Sequence, residues 1–414
     1  MSRRSFLSAM GGAGAAAALS GCSTGKPRTE ITFHQSKPEA IGYFKDLAGR
    51  FNASQSRIRV IHDSTSSLAG AFVRGNPPDI AALNYNLEMG RFMERGALSD
   101  LSDLPEASAI RDDVKQLADQ YATYAGRTSV LPYSVTAASV IYNKAVFAHH
   151  SLEIPETWSD MIQLCETLAD AGTTPIYGTY RDPWTVTQGL FDYTVGGMVD
   201  VQAFYRHMHD LGTAVGPESP VSFEKTLGEP VTRMTRLAAF SNANARSRGY
   251  GDGNTAMAKG KAAMIMQGPW AFGEIAKTNP SLDLGTFPLP MTDDPADRKI
   301  RVNIDLSLWI PEDSRQQEAA REFLSFLMKP EIQDAYNREF LGFGTRNDDD
   351  QKPDPRIAQM RGYYDDSRFY MGASQFIPRM IPAENYIQSI AVGAPVDPTL
   401  RALDQDWARL ALRQ

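Results

Sequence analysis

Two long extended runs interrupt an otherwise regular alternation of strand and helix, and few architectures accommodate both features in one chain of 414 residues. From Glu30 the alternation is plain. Ile31-Thr32-Phe33 reads as a strand, Phe44, Leu47, Ala48 and Phe51 form the apolar stripe of a helix, and Ile58-Arg59-Val60-Ile61 reads as the next strand. A third strand, Asp79-Ile80-Ala81-Ala82-Leu83, is entered through Gly75-Asn76-Pro77-Pro78. Strands and helices joined by short connections predict a twisted, mostly parallel α/β sheet. The order then breaks. Leu131-Pro132-Tyr133 continues to Ala138-Ser139-Val140-Ile141-Tyr142, and Val302 to Ile310 is a second such run. Each is long enough to carry the chain from one lobe into another. Between them lies a long helical region, with Gly251-Asp252-Gly253 before a helix that ends near Gly260. Ala262 to Met266 is again a strand, and Ala320, Phe323, Leu324 and Leu327 line a helix stopped before Pro330.

The first 21 residues read as a processing signal and stand outside the fold. Arg3 and Arg4 form a charged start, and the stretch from Ala9 to Leu19 is small and apolar. It is too short to span a bilayer as a helix, which needs about 20 apolar residues. Ser2-Arg3-Arg4-Ser5-Phe6-Leu7 resembles the bacterial twin-arginine export motif, whose translocase passes folded proteins, and Leu19-Ser20-Gly21-Cys22 resembles a lipobox. The resemblance implies a lipid on Cys22 that holds the chain to the extracytoplasmic face of the cell membrane. Residues 22–29 then form the lipidated cysteine and a polar tether.

Length predicts two lobes after the leader. Without Arg3 and Arg4 the chain has 40 basic against 49 acidic side chains, a net charge of −9, which argues against nucleic acid and against an electrostatic hold on anionic lipid. With Cys22 lipidated, Cys165 has no partner and the fold stands without disulfides. Cys165 falls on a helical stripe with Met161 and Leu168. Thr157 is the expected N-cap with Asp160 three residues on, and Gly172 the terminator, so the thiol reads as buried.

Several strings together resemble the sugar-binding members of the bacterial solute-binding proteins that serve ABC importers. They are Pro77-Pro78-Asp79-Ile80, Leu131-Pro132-Tyr133 leading to Ile141-Tyr142-Asn143-Lys144, Pro155-Glu156-Thr157-Trp158, and Met264-Ile265-Met266-Gln267-Gly268-Pro269-Trp270. Glu318 to Leu324 and Pro355-Arg356-Ile357-Ala358 fit the same pattern. The resemblance implies a two-lobed, type II periplasmic-binding-protein-like α/β fold with the ligand between the lobes. Carried over, one lobe holds residues 30–135 and 305–344, the other 136–304 and 345–414, and the two extended runs become the hinge. It further implies a monomer that captures a sugar or oligosaccharide and hands it to an ABC permease powered by a separate ATPase subunit. No cofactor is expected.

A sugar offers flat C–H faces and hydroxyls that each donate and accept, so its site should mix aromatic rings with amides and carboxylates at strand ends. Trp270 directly follows a strand and matches the stacking tryptophan of the family. Asp182 and Trp184 stand where the family places a carboxylate and an aromatic two residues apart, although Asp182 could equally cap the helix that Pro183 starts. His34-Gln35-Ser36-Lys37 follows the first strand and Asn84-Tyr85-Asn86 the third; of these, His34, Gln35, Ser36, Asn84, Tyr85 and Asn86 are candidate contacts. Asp305, Arg379 and Asn385, the last within Glu384-Asn385-Tyr386, complete the set.

Two rival readings compete with this one. A glycoside hydrolase needs two carboxylates about 5 to 10 Å apart, and Asp182 with Asp305 could be imagined in that role, but no local motif supports it. The same fold could take metal, peptide or polyamine. For metal, Tyr363-Tyr364 and His207-x-His209 are the pointers, but on a helix residues i and i+2 point apart. No Gly-rich phosphate loop or nucleophile elbow is present in the sequence, so the chain reads as a binder and not an enzyme.

Overall fold

The computed structural model describes residues 28–413. The leader, Arg3, Arg4, Cys22 and the tether as far as residue 27 lie outside the described residues. No helix among the described residues is long and apolar enough to cross a membrane.

The regular opening forms as the pattern requires. Strand β1 spans Thr29–His34, helix α1 Ile41–Ser54, and β2 Ile58–Asp63. Ile31, Phe33, Ile58 and Val60 are buried against the α1 stripe of Phe44, Leu47, Ala48 and Phe51, the period-2 and period-3.6 faces meeting in one core. Helix α2 (Leu68–Val73), strand β3 (Ile80–Leu83) and helix α3 (Leu87–Glu94) follow. The third strand starts one residue later than its pattern suggests, because Asp79 turns its carboxylate to accept from the Thr32 N–H at 2.8 Å. Strands β1, β2 and β3 are parallel.

The first extended run is a single strand, β4 (Leu131–Asn143), with all thirteen residues buried. The remaining strands are β5 (Thr174–Ile176), β6 (Ala262–Gln267), β7 (Leu284–Phe287), β8 (Ile300–Trp309) and β9 (Phe369–Met371). One continuous path, β2-β1-β3-β8-β4-β6-β5, links them, with β7 on β4 and β9 on β8. The early residues of β4, Leu131 to Ala138, pair antiparallel with β8, while Ser139 to Asn143 pair with β6 and β7. Strand β4 therefore belongs to both halves of the sheet. Its register shifts on either side of Ser134, beside Pro132, whose missing N–H suits an irregular site.

Local signals hold where their partners are local. Thr157 and Asp160 form a capping box on helix Trp158–Asp170, and Gly172 ends the turn behind it at φ +75°. Cys165 is fully buried, and burial pushes its thiol up to about 12. Tyr364, on helix Ala358–Asp365, is buried with its hydroxyl donating to the Gly344 carbonyl, a packing role. His207 and His209 lie on helix Val201–Asp210. One boundary differs: Gly251 to Gly253 lie inside helix Tyr250–Ala258, with Gly249 as its N-cap. Asp252 accepts from the Gly249 N–H at 2.8 Å and so starts the helix before the glycines. A Cβ on Gly253 would meet Thr179 at 2.6 Å, so close packing selects glycine there.

An ion pair with both side chains fully buried fastens β8 to helix Asp192–Met198. Arg301 Nε donates to Asp192 Oδ2 at 2.9 Å, and Asp192 also accepts from the Ser374 backbone N–H at 2.8 Å and its hydroxyl at 2.9 Å. Replacing Asp192 by Ala leaves the guanidinium buried and unpaired. Urea unfolding should then show a loss of roughly 3–5 kcal/mol, whereas an exposed pair such as Arg59–Glu30 should give less than about 1 kcal/mol.

Candidate functional site

Parallel strands β1, β2 and β3 end on one edge of the sheet, and the first half of the site is built on the loops that leave it. Lys37 reaches from the β1 loop to Asp305 on β8, donating to both carboxylate oxygens at 2.7 and 2.8 Å. The Tyr336 hydroxyl donates to the same carboxylate at 2.8 Å, and Glu39 stands 3.4 Å from the ammonium. The Asn84 amide donates to the Asp305 backbone carbonyl at 2.5 Å, tying the β3 loop to the same point. Asp305, expected as a direct contact, is thus already bound by Lys37 and Tyr336 and acts first as their anchor.

Several residues of this half do not gather at the edge. Gln35 is fully buried, its amide turned back to the Lys37 carbonyl. Tyr85 is buried too, its hydroxyl on Met93 and its ring edge-on to Tyr121. The cause is Asn86, whose side chain accepts from the Met89 N–H at 3.1 Å to cap α3; the turn into the cap rolls Tyr85 under. His34 is buried on the other side of the sheet, 3.8 Å from Asp63. Burial lowers its pKa against the pull of Asp63, so the ring is held neutral. Ser36 and Asn84 remain at the edge.

The second half is a connected set. Trp270 begins helix Trp270–Thr278 straight after β6, and its half-buried ring lies so close over Gly268 that a Cβ there would sit 2.1 Å from it. Its indole N–H donates to Gln267 Oε1 at 3.3 Å, and the Gln267 amide donates in turn to the Thr185 carbonyl at 3.5 Å. Thr185 neighbours Trp184, whose ring packs against Tyr250 with centroids 5.1 Å apart. Asp182 does not cap the helix that Pro183 opens. Its carboxylate instead accepts from the Tyr250 backbone N–H at 2.8 Å, fixing that helix start under Trp184. Burial, with the carboxylates of Glu274 and Glu39 adding against a hydrogen bond from Asn254, pushes the Tyr250 phenol up to about 12.

A third segment crosses between them. Arg379 stands 3.6 Å from Glu88 on α3, just beyond the β3 loop. Asn385 is exposed on helix Ala383–Ala391. On that helix Tyr386 donates to Asp406 at 2.7 Å and Gln388 donates to the Tyr180 carbonyl at 2.7 Å, docking it against the loop of Asp182. Sequence reasoning missed Gln267, which sits in the middle of the quoted Met264–Trp270 string, and Tyr250, an aromatic directly after the helix-opening Gly249. Among the described residues no group of three His, Cys, Asp or Glu side chains could hold a metal ion. Rings with amide neighbours, and the Asp182 and Asp305 carboxylates held by donors, give this surface the chemistry to bind a polar, flat-faced molecule.

Residues 36–334 match the family described as bacterial extracellular solute-binding protein. The chain is 23% identical over 308 residues to an uncharacterized ABC transporter extracellular-binding protein of Pyrococcus horikoshii, covering 71% of this chain and 66% of that one. It is 23% identical to the multiple sugar-binding protein of Streptococcus mutans, over 64% of this chain and 62% of the relative. The matched stretches thus span just under two thirds of these relatives' length. Among solved structures, the apo form of RafE from Streptococcus pneumoniae superposes with a TM-score of 0.80 at 19% identity, covering 93% of this chain and 98% of that one. A chitin oligosaccharide binding protein gives 0.73 at 17% identity over 92% and 99%. The fold is therefore the two-lobed type II solute-binding architecture.

Asp305→Ala strands the Lys37 ammonium and the Tyr336 hydroxyl. Urea denaturation should report a loss of about 2–3 kcal/mol, while Asn385→Ala, an exposed change, should fall within about 0.5 kcal/mol of the parent.

Proposed function

The chain belongs to the bacterial extracellular solute-binding proteins, and from that premise we propose that it captures a sugar or oligosaccharide between its lobes and delivers it to an ABC permease driven by a separate ATPase. The observation that carries this reading is the linked series Trp270, Gln267, Thr185, Trp184, Tyr250, with the Lys37–Asp305 pair at the ends of the other strands. Aromatic faces meet the C–H faces of a ring, and amides with a neutralised ion pair meet its hydroxyls. Residues 30–135 with 305–344 form one lobe and residues 136–304 with 345–414 the other. Strands β4 and β8, running between them, are the hinge. Ligand contacts both lobes only in the closed form and so stabilises it.

The printed names of the multiple sugar-binding and maltotriose-binding relatives, and a neighbouring structure of RafE with raffinose, support the sugar class. The twin-arginine leader and Cys22 support a receptor folded before export and lipid-anchored outside the cytoplasmic membrane. Two acyl chains, at about 0.8 kcal/mol per buried CH2, suffice for stable anchoring.

Calorimetric titration of the mature protein with mono- to tetrasaccharides should show binding to at least one. Trp270→Ala should weaken it by about tenfold or more, as loss of a stacked ring would, without unfolding the protein. Silence across the panel, with tight binding of a peptide or ferric iron, would overturn the sugar reading. Cys22→Ala should leave binding intact and move the protein from the membrane fraction to the medium or periplasm; a variant that stays membrane-bound would place the anchor elsewhere.

A further inference from the structure

Beneath α2 lies a cavity of about 520 Å3 that the interlobe cleft leaves unused. Its place follows from strand alternation. Ile31 and Phe33 face α1, so Glu30, Thr32 and His34 face the other side of the sheet, where the six-residue α2 roofs them with Leu68 and Ala71. One end is formed by His34, Asp63 and Ser66, at the strand ends from which the cleft loops also leave. The far end is closed by Arg74 to Asp79 and by Asp313 to Gln316.

The walls are fixed. Asp79 accepts from the Thr32 N–H at 2.8 Å and from the Ser314 hydroxyl at 2.7 Å, pinning the far end. Asp63 accepts from the Thr65 and Ser66 N–H groups at 3.0 and 3.1 Å, shaping the near one. Arg74 and Arg315 are exposed on the rim, and neither pairs with a carboxylate among the described residues. Asn76 and Gln316 add amides. Donors and acceptors therefore surround a space within the usual range for ligand pockets, about 300–1,000 Å3. No Phe, Tyr or Trp side chain lines it. An anion would meet Asp63, Asp79 and Asp313, and a cation would meet two guanidinium groups. Hydroxyls, which donate and accept at once, satisfy both sets.

We propose that this cavity is an accessory subsite that receives the terminal unit of an oligosaccharide whose other units lie in the cleft, an inference that rests on the sugar reading above. The terminal unit is held through its hydroxyls alone, without a stacking ring. The protein consequently ranks its ligands by length, longer chains binding more tightly than the disaccharide of the same sugar.

The test uses the mature chain, the double variant Arg74→Ala/Arg315→Ala, and Ser66→Trp, which sets a bulky ring at an exposed position of the end formed by His34 and Asp63. Calorimetry is run with a homologous series of two to five units of whichever sugar the parent binds. Both variants should lose about tenfold in affinity for the longest member, the worth of one charge-assisted hydrogen bond, and stay within about twofold for the disaccharide. Equal losses at every length, or none at any, would overturn the subsite. Parent binding that does not depend on length would overturn it while leaving the cleft reading intact. A parent silent to every saccharide overturns both. Thermal unfolding of each variant separates a lost subsite from a lost fold.

Discussion

The pairing of β4 with β8 is the interaction on which the rest of the molecule hangs. Both strands have partners on either side, so β4 is buried along its whole length and β8 at every residue but Asn303, unlike the half-solvated faces of an edge strand. The bulge at Ser134 bends the pair without breaking it, and Phe343 bonds back to Val135 on the same strand. Helices, caps and loops on either side are arranged around that shared ladder. Arg301, on β8, carries the arrangement to the C-terminal segment through Asp192 and Ser374.

Charge is treated consistently near the site. Lys37 is met by Asp305, Asp182 by a backbone N–H, and Arg301 by Asp192, each within the protein. Neutralisation from within leaves the rings and amides as the surface open to a partner. It also keeps the strong, distance-sensitive forces for positioning the chain, and gives the weaker, shape-dependent ones to recognition.

The sequence was legible wherever the physical cause was local or periodic. The stripe of α1, the box at Thr157 and the stop at Gly172 are fixed by neighbours within one or two turns, and the two extended runs stood out by their length against the short strands around them. What stayed hidden was partnership at a distance. Asp182 reads equally well as a cap for the helix beside it, and nothing local says that its acceptor role goes to Tyr250, in a segment folded back from far along the chain. Gln35 and Tyr85 sit in loops at strand ends, and only the packing of the turns decides that both face inward. Periodicity tells which face a residue takes within an element; it is silent at the first residue beyond one.

The contact of Trp270 with Gly268 has a thermodynamic meaning of its own. With the backbone of Gly268 directly behind the ring and Gln267 holding the indole nitrogen, the side chain has little rotamer freedom left to lose. Its ordering is part of folding, not of association, so the proposed ligand would meet a rigid platform and form its complex without that entropic toll.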